Sequence, residues 1–451
     1  MGMRADGLPP GPTLPPAAQM LWWLTRPISF MDRARRRHGD AFSVSFMGFQ
    51  RPMVLISNPE AIRALYTERA HGLPPGRTVT LLPVMGARSL LLLEGSEHLA
   101  RRRMMLPPFH GERMRSYESV MREIAEREVA SWPEHRTFTL HPHMQALTME
   151  VILRAVFGVE DLERAEPLRV GLSRLLNDNA SIGLQLRVML SNRYSRGDPL
   201  DDLRRLTDEI DRVLLAEIAE RRREPELEQR EDILSLLMLA RTEDGEAMDD
   251  RELRDQLVTL LLAGHETTAT ALAWTFDLLL RHPDKLARLS DEVRRGEEDD
   301  YMRAVIAESL RLRPVVPLAG RRLAVDLKVD GLRLPAGTDV TPAIWLAHTR
   351  ADLYPEPFSF RPERFLENPP STYGWIPFGG GVRRCLGAAF AEFEMRIVLQ
   401  TVLERCRLAP AGSHAERIAR RNITFAPRHG TRVRVEGRTT APAPATAPLA
   451  A

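Results

Sequence analysis

The chain is 451 residues long and carries 63 basic and 61 acidic side chains, a formal net charge of +2. That length would allow two or three domains, but no Ser/Gly-rich linker, long charge block or internal repeat divides it, so one large, mainly α unit with small β-sheets is expected. Balanced charge gives no reason to invoke nucleic acid or an anionic membrane, and two cysteines, Cys385 and Cys406, cannot build a disulfide framework and fit a reducing compartment.

In chain order, residues 1–19 form a proline-rich segment. The best apolar run there, Ala17 to Leu24, is too short to span a bilayer. Prolines occupy the place where a secretory signal would need its apolar core. A cytoplasmic protein without a transmembrane anchor is expected, with any membrane contact confined to Leu21, Trp22 and Trp23. "AFSVSFMGFQRPMVLIS", residues 41–57, alternates around a turn as a hairpin does. Asn58 then offers an N-cap and Pro59 a first helical position. Helical periodicity dominates from Ser96 to Leu289, as in "DLRRLTDEIDRVLLAEIAERRRE". Residues 249–281 are predicted as one long helix, with Asp249 and Asp250 at its positive end. After Arg313, "GRRLAVDLKVDGLRLPAGTDVTP" reads as short strands with Gly and Pro turns, and a long helix returns only after Cys385. A single domain over 20–434 is expected, followed by an Ala/Pro-rich, disordered tail over 435–451.

"WIPFGGGVRRCLGAAFAEFEM" sets Cys385 between a glycine run and a predicted helix N-terminus. Such an end favours thiolate over thiol, and Arg383 and Arg384 add to the field. The glycines let the backbone approach something flat or bulky. Leu386, Phe390, Phe393 and Ile397 mark the helix face that is buried. Three uses compete with an inert, buried cysteine. Zinc would need further ligands, and no CxxC or nearby Cys/His cluster supplies them. A nucleophile would need a histidine that the sequence does not assign. Haem iron needs one thiolate and leaves its opposite side open.

Phe378-x-x-Gly381-x-Arg383-x-Cys385-x-Gly387 resembles the haem-binding signature of the cytochromes P450 at every defining position. The resemblance implies Cys385 as the axial iron ligand of haem b, Phe378 packing beside its sulfur, Gly381 in the turn and Arg383 on a propionate. Three further stretches fall in the family's order. "LLLAGHETTAT", Leu260 to Thr270, is similar to the family's A-G-x-[DE]-T-T, and places an acid and hydroxyls within an apolar helix, where unpaired polar groups are costly. The resemblance implies a local widening of the helix at Ala263 and Gly264, with Thr267 hydrogen-bonding the oxygen adduct and Glu266 relaying protons. A zinc-protease reading of "HETTA" fails for want of the second histidine. "AVIAESLRLRP" puts Glu308 and Arg311 three apart, and with Arg364 of "FRPERF" they resemble the family's buried support for the haem loop. "EGSEHLARRRMMLPPF" resembles the helix crossing one haem edge, which implies propionate contacts from His98 and Arg102, and from Arg321 in the later strand.

What the resemblance implies is a haem-thiolate monooxygenase using O2, two electrons and two protons. A ferredoxin and its reductase are the expected electron donors, docking at a basic surface of Arg101, Arg103 and Arg384, and a monomer is expected. Aliphatic residues at the family's pocket segments (Leu81, Leu82, Val315, Val316, Leu318, Ile423 and Phe425) point to a lipophilic substrate. A peroxygenase or isomerase and a non-enzymatic haem sensor are the alternatives, and the intact Glu266–Thr267 pair counts against both.

Overall fold

The computed structural model describes residues 7–47, 49, 51–67, 82–111, 113–158, 162–179, 201–296, 298–329, 331–368, 370–421 and 423–439. Helices α1 (Pro16–Thr25) and α2 (Pro27–His38) precede the expected hairpin of β1 (Ala41–Val44) and β2 (Met53–Ile56). Helix α3 (Pro59–Thr67) follows, its start fixed by Asn58, whose side-chain oxygen accepts from the N–H groups of Glu60 at 2.8 Å and Ala61 at 3.2 Å. The helical body then comprises α4 (Gly95–Met105), α5 (Arg113–Ser131), α6 (Leu140–Phe157), α7 (Leu162–Asn179), α8 (Asp201–Arg221), α9 (Asp250–Leu280), α10 (Pro283–Arg295) and α11 (Asp300–Leu312). A short strand interrupts it, β3 (Thr137–Thr139), which periodicity alone did not reveal. The chain continues through β4 (Arg321–Arg322), β5 (Leu327–Val329), β6 (Leu332–Leu334) and β7 (Asp339–Pro342). Helix α12 (Ala388–Arg405) and strands β8 (Cys406–Pro410), β9 (Ile418–Arg421), β10 (Thr424–Pro427) and β11 (Arg432–Arg438) complete it.

Four small sheets brace this body. The largest has the order β1-β2-β7-β4, with β2 and β7 parallel, so the N-terminal hairpin is tied to strands almost 300 positions later. Strands β3, β11 and β8 form another, and β5-β6 and β9-β10 are two-stranded. Helix α9 is the axis of the apolar core and packs along α6. Of the two acids expected at its positive end, Asp249 is the N-cap, accepting from Glu252 N–H at 2.8 Å.

Both expected domain limits fall inside ordered structure. Segment 7–19 is packed on the body: Leu8 is buried, Ser43 N–H donates to Pro10 O, and Gln19 accepts from Ser45 N–H at 3.0 Å. At the other end β11 runs through residue 434 to Arg438, whose guanidinium donates to the carbonyls of Val129, Ala130 and Trp132. Residues 440–451 of the expected tail lie outside the described residues. Near the N-terminus Leu21 is exposed, whereas Trp23 is buried against Phe30, Phe46 and Phe425, and Trp22 stacks edge-on to Phe30.

Candidate active site

Cys385 stands three residues before α12 rather than at its first turn, in a loop after a single 3-10 turn at Gly381–Arg383. Its N–H donates to Phe378 O at 2.9 Å, closing the loop, and the Phe378 ring meets Trp375 edge-on with centroids 6.2 Å apart. The tight path needs glycine. Gly379 and Gly381 have φ of +70° and +63°, and a Cβ at Gly381 would lie 2.7 Å from Tyr66 O. Burial pushes the Cys385 thiol up, while the Gly387 backbone N–H and the guanidiniums of Arg102 and Arg384 pull it back toward thiolate. The residue keeps accessible surface although neighbouring atoms crowd it closely.

The loop is braced from behind. Arg311 donates to both oxygens of Glu308, at 2.6 and 2.8 Å, and Arg364 donates to the same carboxylate at 3.1 Å. Glu308 also accepts from Arg361 N–H at 2.9 Å, and Arg311 reaches the carbonyls of His348, Pro357 and Ser359. Sequence reasoning missed the parts that carry this brace to the cysteine loop. His348 Nε2 accepts from Ile376 N–H at 2.9 Å, so Nδ1 carries the proton and faces Arg311 O at 3.2 Å. Burial chiefly, then Arg311, lowers His348 to about 3 and keeps it neutral. Trp375 donates to Ala307 O at 3.1 Å, and Tyr354, beneath the Arg311 guanidinium, donates to Gly374 O at 3.0 Å. Nothing in the spacing of His348 or Tyr354 announces these roles.

Four of the sequence-selected basic residues converge. Burial, then Arg383, Arg102 and Arg321, bring buried His98 down to about 4. Burial, then Arg321, lowers Arg383 to about 10, with Glu94 opposing and Arg102 adding to the shift. Arg102 in turn feels Cys385. Arg321 lies over the ring of buried Tyr66, and its Nε has no hydrogen-bond acceptor among the described residues. Arg322 is turned away and paired with Asp339 at 2.8 Å, which separates the two adjacent arginines. Three guanidiniums that repel one another and a neutral imidazole, beside a thiol, are a donor set suited to a planar metal complex bearing carboxylates.

In the mostly buried middle of α9, residues 260, 263, 264 and 267 keep accessible surface at spacings of one helical turn, and Leu262 beside them is half-buried. Thr267 is on this stripe, its hydroxyl donating to Ala263 O at 2.7 Å. Glu266, one residue earlier, points the other way. It is buried against α6, accepting from Gln145, with Arg421 Nε at 3.6 Å and His141 Nε2 at 3.9 Å. The implied widening at Gly264 is not seen: α9 is one continuous α-helix. A Cβ at Gly264 would lie 3.3 Å from the Ile152 side chain, so the missing side chain lets α6 and α9 approach closely.

Two other expectations change. Arg101 is not a surface residue: it is buried and donates to Glu252 at 2.5 Å, tying α4 to α9, and Arg103 is paired with Glu243. Of the aliphatic pocket candidates, Val315 and Phe425 are core residues, Val316 and Leu318 are half-buried, and Ile423 is exposed in the β9–β10 turn. Leu81 and the Leu82 side chain lie outside the described residues. Two surface grooves, near Phe46 and near Pro107, lie apart from these residues.

Residues 9–431 match the family described as Cytochrome P450. A Mycobacterium tuberculosis protein named cytochrome P450 135B1 is 42% identical over 443 residues, covering 96% of this chain and 92% of that one. Another from the same organism, named cytochrome P450 137, is 40% identical over 405 residues, covering 90% and 84%. Among solved structures, a cyanobacterial CYP120A1 with retinoic acid bound shares the fold with a TM-score of 0.83 at 24% identity, covering 95% of this chain and 99% of that one. The P450DA heme domain superposes equally well, with a TM-score of 0.83 at 23% identity, covering 96% and 98%.

The chain therefore belongs to the cytochrome P450 family. It is a haem-thiolate monooxygenase, and haem is its cofactor. Among the described residues no helix is long and apolar enough to cross a membrane.

Proposed function

We propose that this enzyme inserts one atom of O2 into a lipophilic small molecule, by hydroxylation or epoxidation, with electrons delivered by a ferredoxin and its reductase. The observation that carries the reading is the convergence of His98, Arg102, Arg321 and Arg383 around the Cys385 thiol. Cys385 would hold the iron, the three guanidiniums would hold the two propionates through charge-assisted hydrogen bonds, and the neutral His98 imidazole would add a further hydrogen bond. Haem, when bound, supplies O2 binding and the two-electron chemistry, and its thiolate ligand favours O–O cleavage.

The remaining work belongs to this chain's own side chains. Thr267 presents its hydroxyl on the accessible stripe of α9, where it can exchange its bond to Ala263 O for one to a ligand. Burial raises Glu266 above the usual carboxylate range, the direction that favours a proton-relaying acid, while Arg421 and then Gln145 pull it down. Ala263 and Gly264 keep that stripe low, and Val316, Leu318 and Ile423 offer apolar surface to the substrate. Retinoic acid, bound by the cyanobacterial structure, is a lipophilic compound of the class proposed. For the redox partner, Arg384 is exposed, whereas Arg101 and Arg103 already serve internal ion pairs.

The test has two parts. Reduced holoprotein under carbon monoxide is expected to show the strongly red-shifted absorption of thiolate-ligated haem, and Cys385→Ser to lose it. Product formation from lipophilic substrates is expected with NAD(P)H, a surrogate ferredoxin and reductase, and O2. Product formed only with hydrogen peroxide would replace this reading with a peroxygenase.

A further inference from the structure

Glu266 is enclosed by three elements: α9, which carries it, α6 and β9. From α6, Gln145 donates to Oε2, and His141 Nε2 lies 3.9 Å from Oε1. From β9, Arg421 Nε lies 3.6 Å from the same Oε1. Neither distance is a hydrogen bond, and buried Oε1 has no donor among the described residues. Spacings of this size suit a bridging water.

The charges around the carboxyl are unequal. His141, held 3.0 Å from Thr270 Oγ1, is brought down to about 4 by burial, then by Arg421 and His265. His265, on α9 itself, is also brought to about 4, mainly by burial, with its Nδ1 against Leu261 O. Both imidazoles are neutral at neutral pH. Burial raises Glu266, and Arg421, then Gln145, pull it down. Arg421 is thus the full positive charge that meets this acid.

Arg421 ends β9, and its carbonyl accepts from Thr424 Oγ1 at 2.7 Å across the turn to β10. The base of that hairpin is fixed to α9, because Trp274 donates to Phe425 O at 2.8 Å. Next to that base, Ile423 is 61% exposed, two residues from Arg421. The hairpin therefore carries both an exposed apolar contact and the counter-charge of the buried acid.

We propose that Arg421 is a positioning residue that holds Glu266 as an oriented carboxylate, so that the β9–β10 hairpin governs when this acid takes up a proton. The proposal rests on the reading of Glu266 as proton donor. When the hairpin turn is pressed by a ligand and Arg421 withdraws, Glu266 takes a proton from solvent and can pass it on through Oε1. When Arg421 returns, the carboxylate is restored.

Infrared-monitored titration of the ferric holoprotein tests this without turnover. Loss of a carboxyl band in Glu266→Gln assigns that band to Glu266. In Arg421→Gln the band is expected to persist to higher pH than in the wild type, and in Arg421→Lys to an intermediate pH, whereas Arg417→Gln, exposed before the same strand, leaves it in place. A titration midpoint unmoved in either Arg421 variant, read in whichever retains haem, overturns the proposal. Wild-type turnover and solvent isotope effect in Glu266→Gln would instead overturn the proton-donor reading, and with it the functional consequence of the Arg421 contact.

Discussion

The loop that carries Cys385 and the turn of α9 that carries Glu266 and Thr267 both place polar groups in apolar surroundings, yet their bonding differs. Behind the loop, Glu308 accepts from Arg311, Arg364 and Arg361, and His348 and Tyr354 pass that bonding on to the backbone at Ile376 and Gly374. On α9, Glu266 has one firm donor among the described residues, Gln145, and an oxygen left without one there. A fully bonded buried network is rigid, and removing one member exposes the cost of all the others. A partly bonded acid can change its proton at small cost. The first arrangement suits a ligand that must stay on a metal, and the second suits a group that must exchange protons.

The largest effect is expected where the bonding is complete. Glu308→Ala leaves two buried guanidiniums without their shared carboxylate and should cost about 3–5 kcal/mol. Haem content and the denaturation midpoint should fall together, and a variant purified with full haem would show that the brace is dispensable. Glu266→Gln, by contrast, should fold and bind haem as the wild type does, yet lose roughly a hundredfold in turnover, the lower end of general acid contributions. Comparing haem content with turnover in the two variants separates bracing from proton supply.

Acid sharpens the comparison further. His348 behind the loop, at about 3, and His141 and His265 beside Glu266, at about 4, have folded values below their ordinary 6.5. A depressed histidine contributes stability that is complete above 6.5 and lost as pH falls through the window toward those values. Each should remove up to about 1.4 kcal/mol per pH unit within that window. Denaturant midpoints measured from neutral pH downward should fall accordingly, and less steeply in a His348→Gln variant that retains the fold. The smallest effect is expected at Arg103→Ala, where an exposed pair with Glu243 is broken: within about 0.5 kcal/mol in stability. Its rate of reduction by a ferredoxin should also stay near that of the wild type.

Local chemistry made several parts legible. Asn58 announces a helix start because a side-chain acceptor before an apolar period has few other uses, and it caps as expected, while Asp249, expected only as a charge at the positive end of α9, also caps it. The strands after Arg313 follow from Gly and Pro turns, and the glycine loop before Cys385 from backbone space that no side chain could share. Other parts were hidden because identical local patterns have different partners. Arg101 resembles Arg102 in sequence, but helix rotation sends it to Glu252 while Arg102 joins the cations near Cys385. Arg321 and Arg322 are divided by strand alternation in the same way.

The amino-acid sequence alone determined the class of enzyme, the thiol, the acid–alcohol pair and the Glu308–Arg311–Arg364 set, because each depends on residue types at short, fixed spacings. Only the tertiary structure decided that Glu266 and Thr267 face opposite sides of α9, that Gly264 serves helix packing, and that His348, Tyr354 and Arg421 complete the two regions. Those outcomes depend on contacts between segments far apart in the chain, whose distances and burial no local spacing encodes.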